Sequence, residues 1–259
     1  MTQILAIANQ KGGVGKTTTS VNLAASLAAV KRKVLLVDLD PQGNATMGSG
    51  LEKHSLPYSV YEVLLGNASI NVAVQPTPKA GYDVLGSNRE LSGAELELMD
   101  MDGRETRLKD ALASLTKKYD FIVIDCAPSL SLLTLNALVA ADGVIIPVQC
   151  EYYALEGLAD LTNTIERMTQ RLNPALKVRG ILRTMFDPRN TLANDVSAEL
   201  LKHFGDKVFE TVIPRNVRLA EAPAHGLPVM YYDKGSRGAF AYLTLAAELL
   251  KKEKKRKTA

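Results

Sequence analysis

Three observations predict an α/β fold, a mostly parallel twisted sheet with helices on both faces, for this 259-residue chain. Short apolar, β-branched runs alternate with helix-period patterns along most of its length. Runs such as Phe121-Ile122-Val123-Ile124 are continuously apolar, which suits strands covered on both faces. A Gly-rich turn stands directly between the first apolar run and the first helical pattern. Strands are expected at residues 4–8, 34–37, 82–85, 121–124, 144–148, 177–182 and 208–213. Helices are expected at 17–30, 105–118, 130–140, 155–172, 195–204 and 237–250. Ser59-Val60-Tyr61-Glu62 has the form of a capping box opening one more short helix, and 67–79 fits neither period. With no internal repeat and no linker rich in Gly, Ser or Pro, a single domain over 1–250 and a basic tail over 251–259 are expected.

Composition narrows the function classes. Hydrophobic residues at 46% and charged residues at 23% exclude a disordered, collagen-like or mucin-like chain. No apolar run approaches the ~18 residues of a membrane span. The start, Met1-Thr2-Gln3 followed at once by an apolar run, lacks a secretory signal, so a mature chain beginning here in the cytoplasm is expected. Cys126 and Cys150 are too few for a disulfide framework and are expected as free thiols. The net charge is +3, and Lys251-Lys252-Glu253-Lys254-Lys255-Arg256-Lys257 alone carries +5, which leaves −2 over residues 1–250. Any nucleic-acid binding must then come from a local patch, the tail, or both.

The chemistry concentrates after the first strand. Asn9-Gln10-Lys11-Gly12-Gly13-Val14-Gly15-Lys16-Thr17-Thr18 runs straight into a helix, the context a phosphate-binding loop requires. Its glycines let successive backbone N–H groups converge on phosphate oxygens, Lys16 can reach β- and γ-phosphates, and the Thr17 hydroxyl can ligate Mg²⁺. The bland alternative is a Gly-rich turn that binds nothing, and Gly-Lys-Thr-Thr at the mouth of a helix weighs against it. Gln10 stands where the common pattern has its first Gly, and Lys11 enters as a second lysine.

Two acidic stretches accompany the loop. The second strand runs into Asp38-Leu39-Asp40-Pro41-Gln42-Gly43, which puts two carboxylates at the sheet edge where ligands of open α/β folds bind; strand alternation places them on one side. An Asp-Pro pair is also a common turn. Phe121 to Ile124 followed by Asp125 has the form of a Walker B strand, with Asp125 beside Thr17 and holding Mg²⁺ through water. An acid ending a strand is common by itself, but loop, Asp40 and Asp125 arrive in the order a P-loop ATPase needs.

The Lys-Gly-Gly-Val-Gly-Lys-Thr arrangement resembles the deviant Walker A box of the ParA/MinD group of P-loop ATPases. Residues 37–46, 124–129, 147–157 and 213–223 are similar to small chromosomal ParA proteins, the type also called Soj, and the resemblance covers nearly the whole chain. It implies a single-domain P-loop, Mg²⁺-dependent ATPase that forms an ATP-bound sandwich homodimer. In that dimer Lys11 reaches the partner subunit's ATP, as an arginine finger does. Asp40 orients the attacking water and a Mg²⁺-bound water, and the loop after it senses the γ-phosphate. Met185, Pro214 and Asn216 line the adenine, although Pro214 also fits a strand-ending proline. The resemblance further implies non-specific binding of double-stranded DNA, nucleoid association, and stimulation by a ParB-like centromere-binding protein. Arg189, Arg215 and Arg218 are the candidate phosphate contacts; each equally fits a salt-bridged surface arginine. Too few residues precede the loop for an N-terminal helix-turn-helix, so autorepression is not expected.

Rival readings remain distinguishable. A MinD-like membrane ATPase needs a bulky apolar face beside its cations, and after Leu250 the chain has only Lys, Glu, Arg, Thr and Ala, so no stable membrane association is expected. A nitrogenase iron-protein type needs exposed cluster cysteines, whereas Cys126 and Cys150 read as buried; His54, His203 and His225 show no metal-ligand spacing. A nucleotide-binding scaffold without turnover would lack Lys16, Lys11 or Asp40. A ParA-like ATPase that positions a cargo other than DNA would look almost the same.

Overall fold

The structure, a computed structural model, describes residues 2–258, with the backbone alone for Asp160, Thr169, Lys255, Lys257 and Thr258. The chain runs β1 (Gln3–Ile7), α1 (Lys16–Ala29), β2 (Val34–Leu39), α2 (Asn44–Gly48), α3 (Val60–Leu65), α4 (Ile70–Ala73), β3 (Val74–Pro76), β4 (Asp83–Leu85), α5 (Leu91–Met99) and α6 (Arg107–Ala113). It continues β5 (Phe121–Cys126), α7 (Leu132–Ala140), β6 (Gly143–Gln149), α8 (Ala154–Arg171), β7 (Lys177–Phe186), α9 (Thr191–Phe204), β8 (Val208–Pro214), α10 (Val217–Glu221), α11 (Val229–Tyr232) and α12 (Arg237–Thr258).

One sheet holds all eight strands in the order β3-β4-β2-β5-β1-β6-β7-β8, parallel throughout except for the β3–β4 pair. The pleat sorts β2 between two cores. Leu35, Val37 and Leu39 enter the layer shared with α3 and α5–α9, while Val34 and Leu36 enter the layer under α1 and α12. Burial on both faces explains why the strand sequences are apolar without interruption. Register then sets the site: Asp125 lies opposite Ile7 on β1 and opposite Asp38 on β2, so three strand ends meet at one level.

All seven expected strands are present, with ends that agree or differ by up to four residues, and the capping box at Ser59 forms with Glu62 as expected. The departures have physical causes. The helix expected at 105–118 is confined to α6, because the Asn71 side chain captures the Thr116 N–H and hydroxyl at 2.8 and 2.9 Å and Lys117 pairs with Asp83. The ambiguous 67–79 divides into α4 and the antiparallel β3. Helices α2 and α5 were not expected; α5 has the pattern for one, burying Leu91, Ala94 and Leu98. Helix α12 does not stop at Leu250 but continues through the tail, with Glu253 buried against Gln3. The side chains of Lys255, Lys257 and Thr258, with Ala259 and Met1, lie outside the described residues.

Candidate nucleotide site

The loop between β1 and α1 is shaped by glycines in the left-handed region, Gly13 at φ 74° and Gly15 at φ 87°. Gly15 is the N-cap of α1 and no side chain caps that end, which leaves the first-turn N–H groups of Lys16, Thr17 and Thr18 available to an anion. A Cβ on Gly12 or Gly13 would meet nothing within 4 Å, so the loop borders open space. Val14 is buried beneath it, with its carbonyl accepting from the Thr184 hydroxyl at 2.8 Å, and Asn9 fixes the entry by donating to the Pro147 carbonyl at 2.8 Å.

Lys16 is buried and its Nζ donates to the Lys11 carbonyl at 3.0 Å, curled along the loop. Burial pushes its pKa down, against the pull of Asp125, Cys126 and Asp40. The three acidic groups thus favour its charged form and burial opposes it. Asp125 is fully buried; its Oδ1 accepts from the Ser20 hydroxyl at 2.7 Å, and the Thr17 hydroxyl also favours its charged form. Its Oδ2 is buried without a partner among the described residues. Burial first, and then the charge of Asp38, push the Asp125 carboxyl well above the usual range.

An orphaned carboxylate oxygen beside hydroxyl side chains is a donor set for a hard divalent cation, so the residues present fit Mg²⁺. Among the described residues no three His, Cys, Asp or Glu side chains gather into a closed metal site. That is compatible with Mg²⁺, which takes one or two carboxylates and completes its shell with water and phosphate oxygens.

Strand alternation does not govern Asp40, because β2 ends at Leu39. The Asp38 carboxylate is bound within the fold: Oδ2 accepts from the Thr46 N–H at 2.8 Å and its hydroxyl at 2.7 Å, and Oδ1 from the Asp40 N–H at 3.3 Å. Asp40 Oδ1 accepts from the Gln42 N–H at 2.9 Å, closing the turn toward Gly43. The two aspartates thus differ in kind, one an anchor of the loop and the other a member of it.

Met185, Pro214 and Asn216 do line one cavity of about 390 Å³, together with Gly13, Gly15 and Thr18 of the phosphate loop. Met185 sits at φ 48°, an uncommon backbone for a non-glycine. Pro214 is both the last residue of β8 and a wall of this cavity, so the two readings of it hold together. Asn216 caps α10 by accepting from the Arg218 N–H at 3.1 Å. A larger cavity of about 740 Å³ beside Phe240 shares only Pro214 with it and lies away from the phosphate loop.

The candidate arginines are brought to one region but are not alike. Arg189 grips Asp187 with two bonds of 2.9 and 2.7 Å, holding that carboxyl down to about 2. Arg218 pairs with Glu221 at 2.8 Å and Asp233 at 3.3 Å. Arg215 is exposed, feels Asp187 at longer range, and has no side-chain hydrogen bond or ion pair among the described residues. Cys126 and Cys150 are buried free thiols. Lys11 pairs with Glu151 of the same chain at 2.6 Å, both side chains about half exposed. Beside Glu151, Tyr152 and Tyr153 stand exposed with ring centroids 5.0 Å apart.

Sequence reasoning assigned no role to Ser20, Thr46 or Glu151. Ser20 was legible in principle, one helical turn after Lys16 and so on its face of α1. The others act through chain-distant contacts that carry no local signal. Among the described residues no helix is long and apolar enough to cross a membrane.

A family model described as an AAA domain matches residues 2–178. The sporulation initiation inhibitor protein Soj of Bacillus subtilis is 54% identical over 249 residues, covering 96% of this chain and 98% of its own. Among solved structures, a protein of Mycobacterium smegmatis described as cobyrinic acid a,c-diamide synthase, with bound ADP and magnesium, superposes at a TM-score of 0.86 with 42% identity, over 98% of this chain and 96% of its own. A putative plasmid partition protein of Borrelia burgdorferi bound to AMPPNP gives 0.83 with 29% identity, over 97% and 100%.

Proposed function

The chain belongs to the ParA/Soj family of P-loop partitioning ATPases, and from that premise we propose that it is a Mg²⁺-dependent ATPase that moves DNA, switching between a monomer and an ATP-bound, DNA-binding homodimer. The observation that carries this reading is the grouping of Lys16 at the start of α1, Asp125 near the end of β5 and Asp40 just past the end of β2, next to a cavity lined by the same loop.

In this reading the loop from Lys11 to Thr18 holds the phosphates, with Gly12, Gly13 and Gly15 letting the backbone approach and Lys16 releasing the Lys11 carbonyl to bind β- and γ-oxygens. Thr17 and Asp125, with Asp40 through water, are the residues that would hold Mg²⁺; the ion supplies charge neutralisation at the phosphates. Asp40 orients the water that attacks the γ-phosphorus, and adenine lies between Met185, Pro214 and Asn216. Lys11 acts on the ATP of a second copy. Its pair with Glu151 is half exposed and worth at most about 1 kcal/mol, so it does not prevent that exchange. Exposed Tyr152 and Tyr153 beside it supply the aromatic surface that association faces favour.

DNA binding through Arg189, Arg215 and Arg218, and stimulation by a ParB-like partner, complete the cycle. Sedimentation with DNA in the presence of ATP, ADP or no nucleotide, with liposomes in parallel, tests it. ATP-selective recovery with DNA of unrelated sequences is expected, and recovery with liposomes alone would favour the membrane rival. Lys16→Ala should remove ATP-dependent dimerisation and hydrolysis together; near-normal turnover would overturn the phosphate-loop assignment. An amide-forming activity, which the name of the Mycobacterium smegmatis protein attaches to that protein, would make phosphate release depend on an added carboxylic acid and amine donor.

A further inference from the structure

The turn that carries Asp40 is held from outside its own strand. Ser87, fully buried in the segment after β4, donates its hydroxyl to the Asp40 main-chain carbonyl at 2.8 Å. Its own N–H donates to the Thr46 hydroxyl at 2.9 Å, and that hydroxyl donates to Asp38 Oδ2 at 2.7 Å. One serine thus ties both ends of the stretch from Asp40 to Thr46 to a neighbouring strand.

The fit around this contact is close. Gly43 sits at φ 61°, and a Cβ there would come within 2.7 Å of the Ser87 carbonyl oxygen. A Cβ on Gly86 would come within 2.8 Å of Leu56 and 3.2 Å of Thr46, and the Gly86 carbonyl accepts from the Val60 N–H at 2.8 Å. The Asp40 carbonyl takes two donors, the Ser87 hydroxyl and the Gly43 N–H at 2.9 Å. These two donors hold the Asp40–Pro41 peptide plane, which sets where the Asp40 side chain leaves the backbone, and the Gln42 N–H on Oδ1 at 2.9 Å, two residues along the same turn, then orients the carboxylate.

We propose that Ser87 is a positioning residue for Asp40, holding the peptide of the water-orienting aspartate in the one orientation that serves hydrolysis. The proposal rests on the reading of Asp40 given above. It differs from that reading because Ser87 is not among the residues that line the cavity beside the phosphate loop and acts only through the Asp40 backbone.

The test uses the full chain with Ser87→Ala, Asp40→Asn and the double variant. It measures ATP turnover and, on nucleotide-free protein, amide hydrogen exchange. Ser87→Ala should lower kcat roughly tenfold, the worth of one buried hydrogen bond at the reacting centre, with KM within about twofold. Exchange at the Gln42 and Gly43 amides should quicken. In the Asp40→Asn background the serine substitution should have no further effect on kcat, because there is no carboxylate left to aim. A merely structural serine would instead raise KM, lower stability and add its effect to that of Asp40→Asn.

Wild-type kcat in Ser87→Ala, or additive effects in the double variant, would overturn the proposal while leaving Asp40 in its role. Full turnover by Asp40→Asn would remove the Asp40 reading and the proposal with it. If Ser87→Ala does not fold, Ser87→Cys, of similar size with a weaker donor, decides the matter: an intermediate kcat supports positioning, and an unchanged one refutes it.

Discussion

Asp125 combines full burial, an unpaired oxygen and a neighbouring carboxylate, Asp38, that is also pushed upward by burial. Such a residue weakens the nucleotide-free fold for the sake of a cation. Because its folded pKa lies above the unfolded value of about 4, the native chain binds more protons than the unfolded one between those values. Stability attributable to this group therefore falls as pH rises through that window and stays low above it. Asp125→Asn removes the charge while keeping the shape. It should raise the Tm of nucleotide-free protein by roughly 3–6 °C at pH 9 and change it little at pH 5, where the native carboxyl is already neutral. Mg²⁺-dependent nucleotide binding should be lost in the same variant. Calorimetry at both pH values checks this; a Tm that fell at pH 9 would mean the pocket does not strain the carboxylate.

Helix α12 makes the corresponding argument for an element. Its last turns dock on the body: Glu253 is buried and meets Gln3, Arg256 pairs with Glu253 at 3.3 Å, and Lys252 donates to the Asp206 carbonyl at 3.2 Å while lying over Phe209 at 4.7 Å. Deleting residues 251–259 should therefore cost about 1–2 kcal/mol, read as a Tm lower by roughly 3–6 °C, whereas loss of a solvated tail would cost nothing. An unchanged Tm would return the segment to solvent. The sequence could not show this docking, because a run of lysines looks polar on every face and hides aliphatic stems that lie along apolar surface. The phosphate loop, by contrast, was legible because its chemistry is written in consecutive residues after a strand. The strands were legible because burial on both faces leaves continuous apolar runs. The Asp38–Thr46–Ser87 tie was not, since Ser87 lies more than forty residues from the groups it holds. Helix α6 was overextended because partners from 71 and 83 remove residues 116 and 117 from a helix that local propensity alone would continue.

For the whole molecule the decisive quantity is charge that is free to meet phosphate. Residues 1–250 sum to −2 and the docked end of α12 brings the whole chain to only +3, so under the proposed function DNA is held by a local patch around the three candidate arginines rather than by a strong overall field. Within that patch Arg189 and Arg218 are already neutralised by Asp187, Glu221 and Asp233, while Arg215 is not. Breaking an exposed pair to reach DNA costs little, but each such arginine brings its carboxylate partner toward the polyanion and releases fewer counterions. Arg215→Ala should therefore reduce the slope of log affinity against log salt by about 0.9 per arginine engaged, and Arg189→Ala or Arg218→Ala by less. ATP-driven dimerisation, followed by light scattering on the same samples, should be unchanged in all three. Gel shifts across a salt series decide the order. Equal slopes in the three variants would show that the carboxylates swing away when DNA arrives, and a slope that Arg215→Ala leaves untouched would place the DNA on another face of the dimer.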